Sequence, residues 1–470
     1  MDNTVKNKIF DYIESEKENM IASLSELIAY PSYQQEPSDG APFGRPVREC
    51  LDRALEICSG FGLVTRNFDG YAGTVELPGY DCEPELGILS HLDVVPEGTG
   101  WTSEPYKARV DDGKIYGRGA IDDKGPSVAV IYALKAIKEL GIPLKRGVRL
   151  ILGTNEENGS ADMKYYLSKQ PAPKYTFTPD GNYPVINIEK GMIRGYFSAD
   201  IMPSASPKTI LELSGGTVIN AVPESAYAVI GGMSVSQAEA AIRRMSCGVS
   251  FSVKDFGGCI RIDACGKSAH ASTPELGKNA VTALIKLLTY MDIRDDASRK
   301  LSSLSKLFPY GETDGSSLGI AQSDELSGAL TCVLSIINYQ AGKLEFKIDI
   351  RLPATSSVAN VMDKLLPAAA GAGFRLDGHM GSEPHCVSED TPFVRKLLSV
   401  FEEVTGKKGE CIAIGGGTYV HEIEGGVAFG PEFIGDDNHM HSADEFIKED
   451  DLIFNAKMFA LAILRICAED

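Results

Sequence analysis

Several short apolar runs in this 470-residue chain end in an imidazole or a carboxylate. The run 86–92 contains His91 near its end and is followed by Asp93, Glu156 and Glu157 follow 149–155, and Asp180 follows 175–179. Short apolar runs bounded by polar residues are typical of the buried strands of an α/β sheet. Functional sites of such sheets gather at the carboxyl ends of the strands. One such residue alone is usually a solvated turn residue, but the recurrence predicts a shared site.

The first 190 residues alternate between strand and helix patterns. Strands are predicted at 72–77, 86–92, 147–154 and 175–180, and helices within 4–30 and at 126–140. Pro126 is expected at the first position of the second helix, and Gly141 just after its end. This alternation predicts an α/β fold.

The sequence pattern changes at about residue 190. The chain then shows strand-like pieces with small-residue turns, and no acidic cluster with histidine recurs until residue 436. The last 85 residues regain the α/β character, with a strand and glycine turn at 411–418 and a helix at 450–466. We therefore predict a discontinuous domain of residues 1–189 and 386–470, interrupted by a second domain of residues 190–385.

Composition narrows the range of partners. Lys and Arg number 46 against 65 Asp and Glu, giving a net charge of −19, which argues against nucleic acid and anionic membranes. No apolar run approaches the roughly 18 residues of a membrane span, and the amino-terminal stretch lacks the apolar core of a signal peptide. We expect a cytoplasmic protein. The ten cysteines form no C-x-x-C pair, so they are expected to be buried small apolar residues.

The imidazole and carboxylate residues form a donor set for divalent metals. Alternate side chains of a strand point to one side, so His91 and Asp93 can share a site. Asp122 and Asp123 add carboxylates in a loop before a helix, and 436-DDNHMHSADE-445 adds two of the seven histidines. Imidazoles from two segments with several carboxylates predict a paired metal site, because a single ion does not need so many ligands.

Four strings carry a family resemblance: 91-HLDVVP-96, 117-GRGAIDDKGP-126, 154-TNEENGS-160 and 441-HSADE-445. In order and spacing they resemble the metal-site motifs of the dinuclear zinc metallopeptidases related to aminoacylase, glutamate carboxypeptidase and carnosinase. Within that family, 415-GGGTY-419, Asp180 and the long insert resemble the PepV-type bacterial dipeptidases. The resemblance implies an α/β, aminopeptidase-like catalytic domain with a central mixed sheet flanked by helices. It also implies that the insert is an α+β lid domain.

The resemblance implies a ligand set for two divalent ions. Asp122 would bridge the ions, His91 and Asp180 would complete one site, and Glu157 and His441 the other. Zinc is the expected ion, and the many carboxylates leave manganese or cobalt open. His439 is not expected to bind metal. The family has a cis peptide after its bridging aspartate, so one is expected between Asp122 and Asp123.

Two acidic residues beside the metals take catalytic roles by the same resemblance. Asp93 would hold the far nitrogen of His91 and so fix the tautomer of that ring. Glu156 would act as the general base, which takes a proton from the attacking water and passes it to the leaving amine.

Further positions resemble the family's substrate-binding residues. They are His270 and Asn220 at the oxyanion, Arg351 at the substrate carboxylate, and Gly416 and Thr418 in the glycine turn. Without its motif, Arg351 would be interpreted as an ordinary ion-pair residue. The long lid implies a monomer with a self-contained site. One departure is His421, since relatives commonly carry arginine there.

These observations predict a dinuclear metal-dependent dipeptidase that hydrolyses small peptides. An aminoacylase or deacetylase acting on N-acyl amino acids is an alternative, because the chemistry is identical and only the group beside the scissile carbonyl differs. A non-catalytic binding protein that retains the fold is a third hypothesis. The third is disfavoured because the general base, Asp93 and all five ligands are present together.

Overall fold

The computed structural model describes residues 3–80 and 84–468, which divide into two compact units. The first unit takes the described residues of Met1–Asn187, Cys386–Ile412 and Gly417–Asp470. The second unit takes Ile188–His385 and Ala413–Gly416. Relative to the boundaries proposed from the sequence, residues 188–189 and 413–416 fall in the second unit. The assignment of the two units as a catalytic domain and a lid stays a prediction.

The helices, numbered along the chain, are α1 (Asn3–Ser15), α2 (Lys17–Ile28), α3 (Arg45–Gly60), α4 (Lys124–Glu139), α5 (Ala161–Lys169), α6 (Val235–Ile242), α7 (Ala280–Thr289), α8 (Asp296–Leu307), α9 (Val358–Gly371), α10 (Pro392–Thr405) and α11 (Glu449–Cys467). The strands of the amino-terminal part are β1 (Val64–Phe68), β2 (Ala72–Leu77), β3 (Pro84–His91), β4 (Arg109–Asp111), β5 (Lys114–Tyr116), β6 (Gly147–Gly153), β7 (Tyr175–Thr178), β8 (Asn182–Tyr183) and β9 (Val185–Glu189).

The strands of the middle part are β10 (Gly191–Asp200), β11 (Thr209–Gly215), β12 (Ser225–Gly231), β13 (Ser250–Phe256), β14 (Cys259–Cys265), β15 (Ser323–Asp324), β16 (Gly328–Ala329), β17 (Thr331–Gln340), β18 (Lys343–Leu352) and β19 (Arg375–Ser382). The remaining strands are β20 (His385–Cys386), β21 (Cys411–Ile414), β22 (Val427–Ala428), β23 (Glu432–Phe433) and β24 (Phe446–Lys448).

A mixed sheet forms the centre of the first unit. Its strand order is β1-β2-β6-β3-β7-β22-β9-β20, with β21 paired to β9. β3 runs parallel to both β6 and β7, whereas β2 pairs with β6 in the antiparallel sense. The three parallel strands therefore have their carboxyl ends at one edge of the sheet. The predicted central mixed sheet flanked by helices is confirmed.

The sheet is buried on both faces because its side chains alternate between two apolar layers. Leu150 and Leu152 of β6 lie in the main core, whereas Ile151 between them lies in a second cluster with Tyr166 and Tyr419. The main core is formed with α4 and α11, which are buried along almost their whole length. Strands with two covered faces read as continuous apolar runs, which explains the pattern seen in the sequence.

Helix α4 begins two residues earlier than its proline indicated. The helix starts at Lys124, so Pro126 lies at the third helical position rather than the first. Lys124 is buried at this first position, and its ammonium donates to the carbonyl oxygens of Leu27 and Tyr30 at 2.9 Å each. Gly141 follows the helix with φ +62°, as its position predicted.

The second unit is built on an eight-stranded sheet. Its order is β13-β14-β12-β11-β17-β18-β10-β19, and every pairing along this path is antiparallel. Helices α6, α7, α8 and α9 share its apolar core. An antiparallel sheet with helices is the α+β architecture expected of the insert.

The cysteines are less uniformly buried than predicted. Cys50, Cys58, Cys332 and Cys467 are buried, three others are half-buried, and Cys265 and Cys386 are exposed. Cys82 lies outside the described residues. The prediction of burial is therefore wrong for Cys265 and Cys386. Cys265 is the last residue of β14, and Cys386 lies in the two-residue strand β20.

None of the helices in residues 3–80 and 84–468 combines the length and apolar character needed to cross a membrane.

The central layer can be tested by a cavity-forming substitution. Phe459 of α11 is fully buried between the rings of Phe177 and Phe429. Phe459→Ala should lower the free energy of unfolding by about 3–5 kcal/mol, since it removes apolar contacts and leaves a cavity. Urea unfolding measures the change, with the 60% exposed Val64 replaced by alanine as the control, where we expect about 0.5 kcal/mol or less. Equal losses in both variants would contradict this core.

Candidate metal centre

The carboxyl ends of three parallel strands bring the candidate ligands together. His91 is the last residue of β3, and Asp180 follows β7 after one intervening residue. Glu156 and Glu157 form a short 3-10 turn shortly after β6. Asp122 lies just before α4. His441 precedes β24, so residues far apart in the sequence converge on one edge of the sheet.

The five predicted ligands form two groups that share Asp122. The groups are His91, Asp122 and Asp180, and Asp122, Glu157 and His441, and within each group one ligand atom per residue lies within 4.8 Å of the others. The two oxygens of Asp122 face different imidazoles, with Oδ1 3.0 Å from His91 Nε2 and Oδ2 2.7 Å from His441 Nε2. This is the arrangement that a carboxylate shared between two cations requires.

The outer ligands complete each group. Asp180 Oδ2 lies 3.7 Å from His91 Nε2, and Glu157 Oε1 lies 3.2 Å from His441 Nε2. His91 is fully buried, and among the described residues its Nε2 makes no hydrogen bond of acceptable geometry despite the nearby Asp122 oxygen. A buried ring nitrogen without such a bond fits a metal ligand better than a structural donor.

The electrostatics of the cluster also fit bound cations. Burial raises the pKa of Glu156 well above its usual value, raises that of Asp180, and raises that of Glu157 to about 7. Neighbouring carboxylates contribute repulsion in each case. Divalent ions would stabilise the ionised forms of these groups. Nitrogen and oxygen donors of this kind suit zinc, manganese and cobalt, so the cluster is a candidate metal centre.

Asp122 and the imidazoles stabilise one another's charge. Burial alone would raise the pKa of Asp122, but the adjacent imidazoles of His441 and His91 outweigh it and hold the pKa well below its usual value. Burial lowers the pKa of His441, yet the bonds to Asp122 and Glu157 raise it to about 11. The surroundings of both imidazoles therefore favour positive charge at these positions.

Asp93 makes a different contact from the one predicted. The nearest acceptor to His91 Nδ1 is the backbone carbonyl of Asp93 at 3.0 Å, and the Asp93 carboxylate is 3.6 Å away. That carboxylate instead accepts the backbone N–H groups of Glu156 and Glu157, each at 3.1 Å. Asp93 therefore connects the His91 strand end to the loop that carries the two glutamates.

Glu445 was quoted in a motif but given no role in the sequence analysis. Its buried carboxylate accepts the backbone N–H groups of Ile121 and Asp122 at 3.1 and 3.4 Å, and receives Arg118 Nη1 at 2.5 Å. Glu445 thus joins the loop of His441 to the loop of Asp122. The only signal in the sequence was an acidic residue four positions after His441.

The expected cis peptide between Asp122 and Asp123 is confirmed. Asp123 is buried, and its Oδ2 accepts the backbone N–H of His91 at 3.1 Å and the hydroxyl of Ser90. The neighbouring carboxyl groups therefore face different partners: Asp122 faces the imidazoles, and Asp123 faces the end of β3.

Another pair absent from the predicted site is Tyr419 and Asp162. Tyr419 is 1% exposed, its hydroxyl donates to Asp162 Oδ2, and its ring meets that of His91 edge-on with centroids 6.0 Å apart. Glu432 also lies near the site. Burial, together with repulsion from Asp122 and Asp180, raises its pKa to about 7. Only Tyr419 was marked in the sequence, as the last letter of the glycine-turn motif.

Three predicted substrate-binding residues and Gly416 belong to the second unit. The backbone around Asn220 pairs with that around His270, because Ala271 N–H donates to Asn220 O at 2.8 Å. Arg351 is 5% exposed, with Nε and Nη2 bonded to Asp349 and Nη1 to the Gly415 carbonyl. These bonds use three of its five N–H groups. The oxyanion and carboxylate roles stay predictions.

The remaining residues that the sequence analysis singled out are Thr418, His421 and His439. Thr418 belongs to the first unit and caps the short 3-10 turn that contains Tyr419 and His421. His439 is exposed, with its ring against Phe446 rather than in either ligand group.

Comparison with known proteins places the chain in a peptidase class. Residues 87–465 match the model described as "Peptidase family M20/M25/M40". The chain is 36% identical to YtjP of Bacillus subtilis (strain 168), a protein named provisionally as a dipeptidase, over 96% of this chain and 97% of that protein. It is 34% identical to the Beta-Ala-Xaa dipeptidase of Lactobacillus delbrueckii subsp. lactis, over 97% and 98% of the two chains.

Solved structures share the fold at low identity. Human carnosine dipeptidase 1 aligns with a TM-score of 0.62 and 16% identity, over 98% of each chain. The dipeptidase Dug1p from Saccharomyces cerevisiae aligns with a TM-score of 0.61 and 13% identity, over 98% of each chain. The family match and the sequence relatives together show that this chain belongs to the peptidase family M20/M25/M40, as the motifs had indicated.

The contact between Glu445 and Arg118 gives a testable consequence. Glu445→Gln leaves the buried guanidinium of Arg118 without its carboxylate, so the free energy of unfolding should fall by about 3 kcal/mol. Urea unfolding measures this change. Glu49→Gln, at an exposed pair with Arg45, should leave the unfolding midpoint unchanged. A midpoint for Glu445→Gln that equals that of Glu49→Gln would contradict the structural role of Glu445.

Proposed function

We propose that this chain is a metal-dependent dipeptidase that binds two divalent ions through His91, Asp122, Asp180, Glu157 and His441. The observation that carries the proposal is the pair of ligand groups sharing Asp122, with Glu156 beside them. Family membership supports peptide hydrolysis, and the names of the relatives support dipeptides as the substrate class. Zinc is the proposed ion, with manganese or cobalt as alternatives for the same donors.

Glu156 is the proposed general base. When bound, divalent ions supply Lewis acidity, which polarises the scissile carbonyl and makes water a stronger acid. Glu156 accepts a proton from the attacking water and returns it to the leaving amine. Burial raises the pKa of this carboxyl well above its usual value, which suits a group that must both accept and donate a proton. Asp93 helps to position Glu156, because its carboxylate accepts the backbone N–H of that residue.

The proposal includes a small peptide with free ends as substrate and a cytoplasmic monomer as the working form. Acidic groups around the centre, including Asp122 and Glu156, suit a protonated amino terminus. Arg351 is the proposed partner of the carboxylate, because guanidinium binds carboxylates in a bidentate manner. Sedimentation equilibrium tests the monomer, since a dimer would appear at twice the 50.5 kDa chain mass.

The separate roles of Glu156 and Glu157 predict separate losses. Glu156→Ala should still bind about two zinc ions per chain, while its kcat for a dipeptide should fall by about 10³-fold because the base is lost. Glu157→Ala is the matched comparison and should lose metal, because a ligand is removed. Metal analysis after dialysis, together with dipeptide turnover, measures both. If Glu156→Ala lost the metal instead, the two roles would have to be exchanged.

The chemical groups at the amino and carboxyl ends of the substrate distinguish a dipeptidase from an aminoacylase. One dipeptide, its N-acetylated form and its C-amidated form should be compared in the zinc-loaded enzyme. Acetylation should sharply reduce turnover by removing the amino-terminal charge. Amidation should cost about 2 kcal/mol or more in kcat/KM, because a charge-assisted contact is lost. Preference for the acetylated form would overturn the dipeptidase proposal, and indifference to amidation would contradict the role of Arg351.

A further inference from the structure

The loop that carries Glu156 and Glu157 is held by two buried carboxylates. Thr154 and Asn155 donate their backbone N–H groups to Asp162 Oδ2, at 2.6 and 3.0 Å. The next two amides, of Glu156 and Glu157, donate to Asp93. Four consecutive amides are thus fixed by charge-assisted bonds, so the direction of the loop depends on where Asp162 and Asp93 lie.

Tyr419 makes a hydrogen bond to the Asp162 carboxylate. Its hydroxyl donates to the same Oδ2 that receives Thr154 and Asn155, and it also lies 3.4 Å from the Asn155 nitrogen. Asp162 and Tyr419 are both buried, and they are separated by 257 positions in the sequence. A bond between such distant segments does not follow from local chain geometry. It connects the turn after the glycine-rich stretch to the loop that carries Glu156 and Glu157.

Strand β6 ends in a glycine, Gly153, at the place where the Tyr419 hydroxyl meets the Asp162 carboxylate. A Cβ added at Gly153 would lie 2.1 Å from the Tyr419 hydroxyl and 2.7 Å from Asp162 Oδ2. The last position of β6 therefore has to lack a side chain for the hydroxyl and carboxylate to meet beside the loop. The contact is thus supported by three segments: the strand end, the helix α5 that carries Asp162, and the turn that carries Tyr419.

We propose that Tyr419 and Asp162 are positioning residues for the general base, and that their hydrogen bond sets the orientation of Glu156 through the amides of Thr154 and Asn155. Neither residue belongs to the two ligand groups, so the pair acts on the loop that carries Glu156 and Glu157 and does not bind the ions. The inference rests on the proposed function of the same site. It predicts a loss in kcat with little change in KM, because a misplaced base affects the transition state and not the binding of the ground state.

Tyr419→Phe is the direct test, since it removes the hydroxyl and keeps the ring. The zinc-loaded full chain should show a kcat for a dipeptide about 10- to 100-fold lower, with KM changed less than about 3-fold, as expected for a displaced catalytic group. Bound zinc should stay at the wild-type ratio. Tyr166→Phe is the matched control, because Tyr166 is a fully buried tyrosine of the same apolar cluster whose hydroxyl receives Arg149 instead. Its kcat should equal that of the wild type.

A second measurement follows the loop itself. Hydrogen–deuterium exchange of a peptide covering residues 154–157 should be faster in Tyr419→Phe than in Tyr166→Phe. Asp162→Asn should show faster exchange as well, because the charge that receives two of the amides is lost. This readout needs no turnover, so it stands even if the wild-type enzyme cleaves no dipeptide, a result that would overturn the proposed function alone.

The outcomes separate the alternatives. A kcat for Tyr419→Phe equal to that of Tyr166→Phe, in an enzyme that does cleave dipeptides, overturns the positioning role. Unchanged exchange at residues 154–157 in both Tyr419→Phe and Asp162→Asn also overturns it. A raised KM with unchanged kcat would assign Tyr419 to substrate binding instead, and loss of zinc would assign it to the metal centre, so either result contradicts the proposal.

Discussion

The crowding of buried and half-buried carboxyl groups at one edge of the central sheet is the constraint on which the rest of the structure depends. Asp122, Glu156, Glu157 and Asp180 converge at one edge of a sheet that is covered on both faces. Burial raises the pKa of three of them, and only Asp122, held between two imidazoles, has a lowered pKa. A chain gains nothing in stability from such a cluster, because each charge loses its hydration. The arrangement is therefore explained by the cations that it can hold, and the surrounding fold has to keep the cluster assembled.

The structure keeps it assembled with further carboxylates that face backbone amides. Asp93 and Asp162 together accept four consecutive N–H groups of the loop that ends in Glu157, and Glu445 accepts those that lead into Asp122. Such bonds are charge-assisted, and they fix the backbone instead of a flexible side chain. This allows the candidate ligands and the proposed base to lie on loops without the mobility that loops usually have. Three acidic residues thus support the site without belonging to either ligand group.

The sequence indicated the positions of the candidate ligands more directly than it indicated the residues that support their loops, for a physical reason. His91, Glu157 and Asp180 follow apolar runs, so local periodicity was enough to place them at strand ends, and β2 was predicted at its observed bounds. Asp162 and Glu445 follow no such run. Asp162 accepts nearby amides but also bonds to Tyr419, 257 positions away. The partners of Glu445 are all distant, with Arg118 327 positions away and the amides of Ile121 and Asp122 324 and 323 positions away. Only the folded chain brings these pairs together. The same limit explains Asp93, whose place was predicted correctly but whose carboxylate has a different partner.

The adjacency of Glu156 and Glu157 acquires a physical meaning in this setting. Both backbone N–H groups donate to the carboxylate of Asp93, so the two residues share one turn that is held by a single carboxylate. Glu157 faces the imidazole of His441 at 3.2 Å, which lowers its pKa and offsets part of the effect of burial. For Glu156, burial dominates and raises the pKa further, with His91 opposing it only through space. The His441 contact of Glu157, together with the larger number of carboxylates that repel Glu156, therefore gives the two neighbouring residues different electrostatic surroundings.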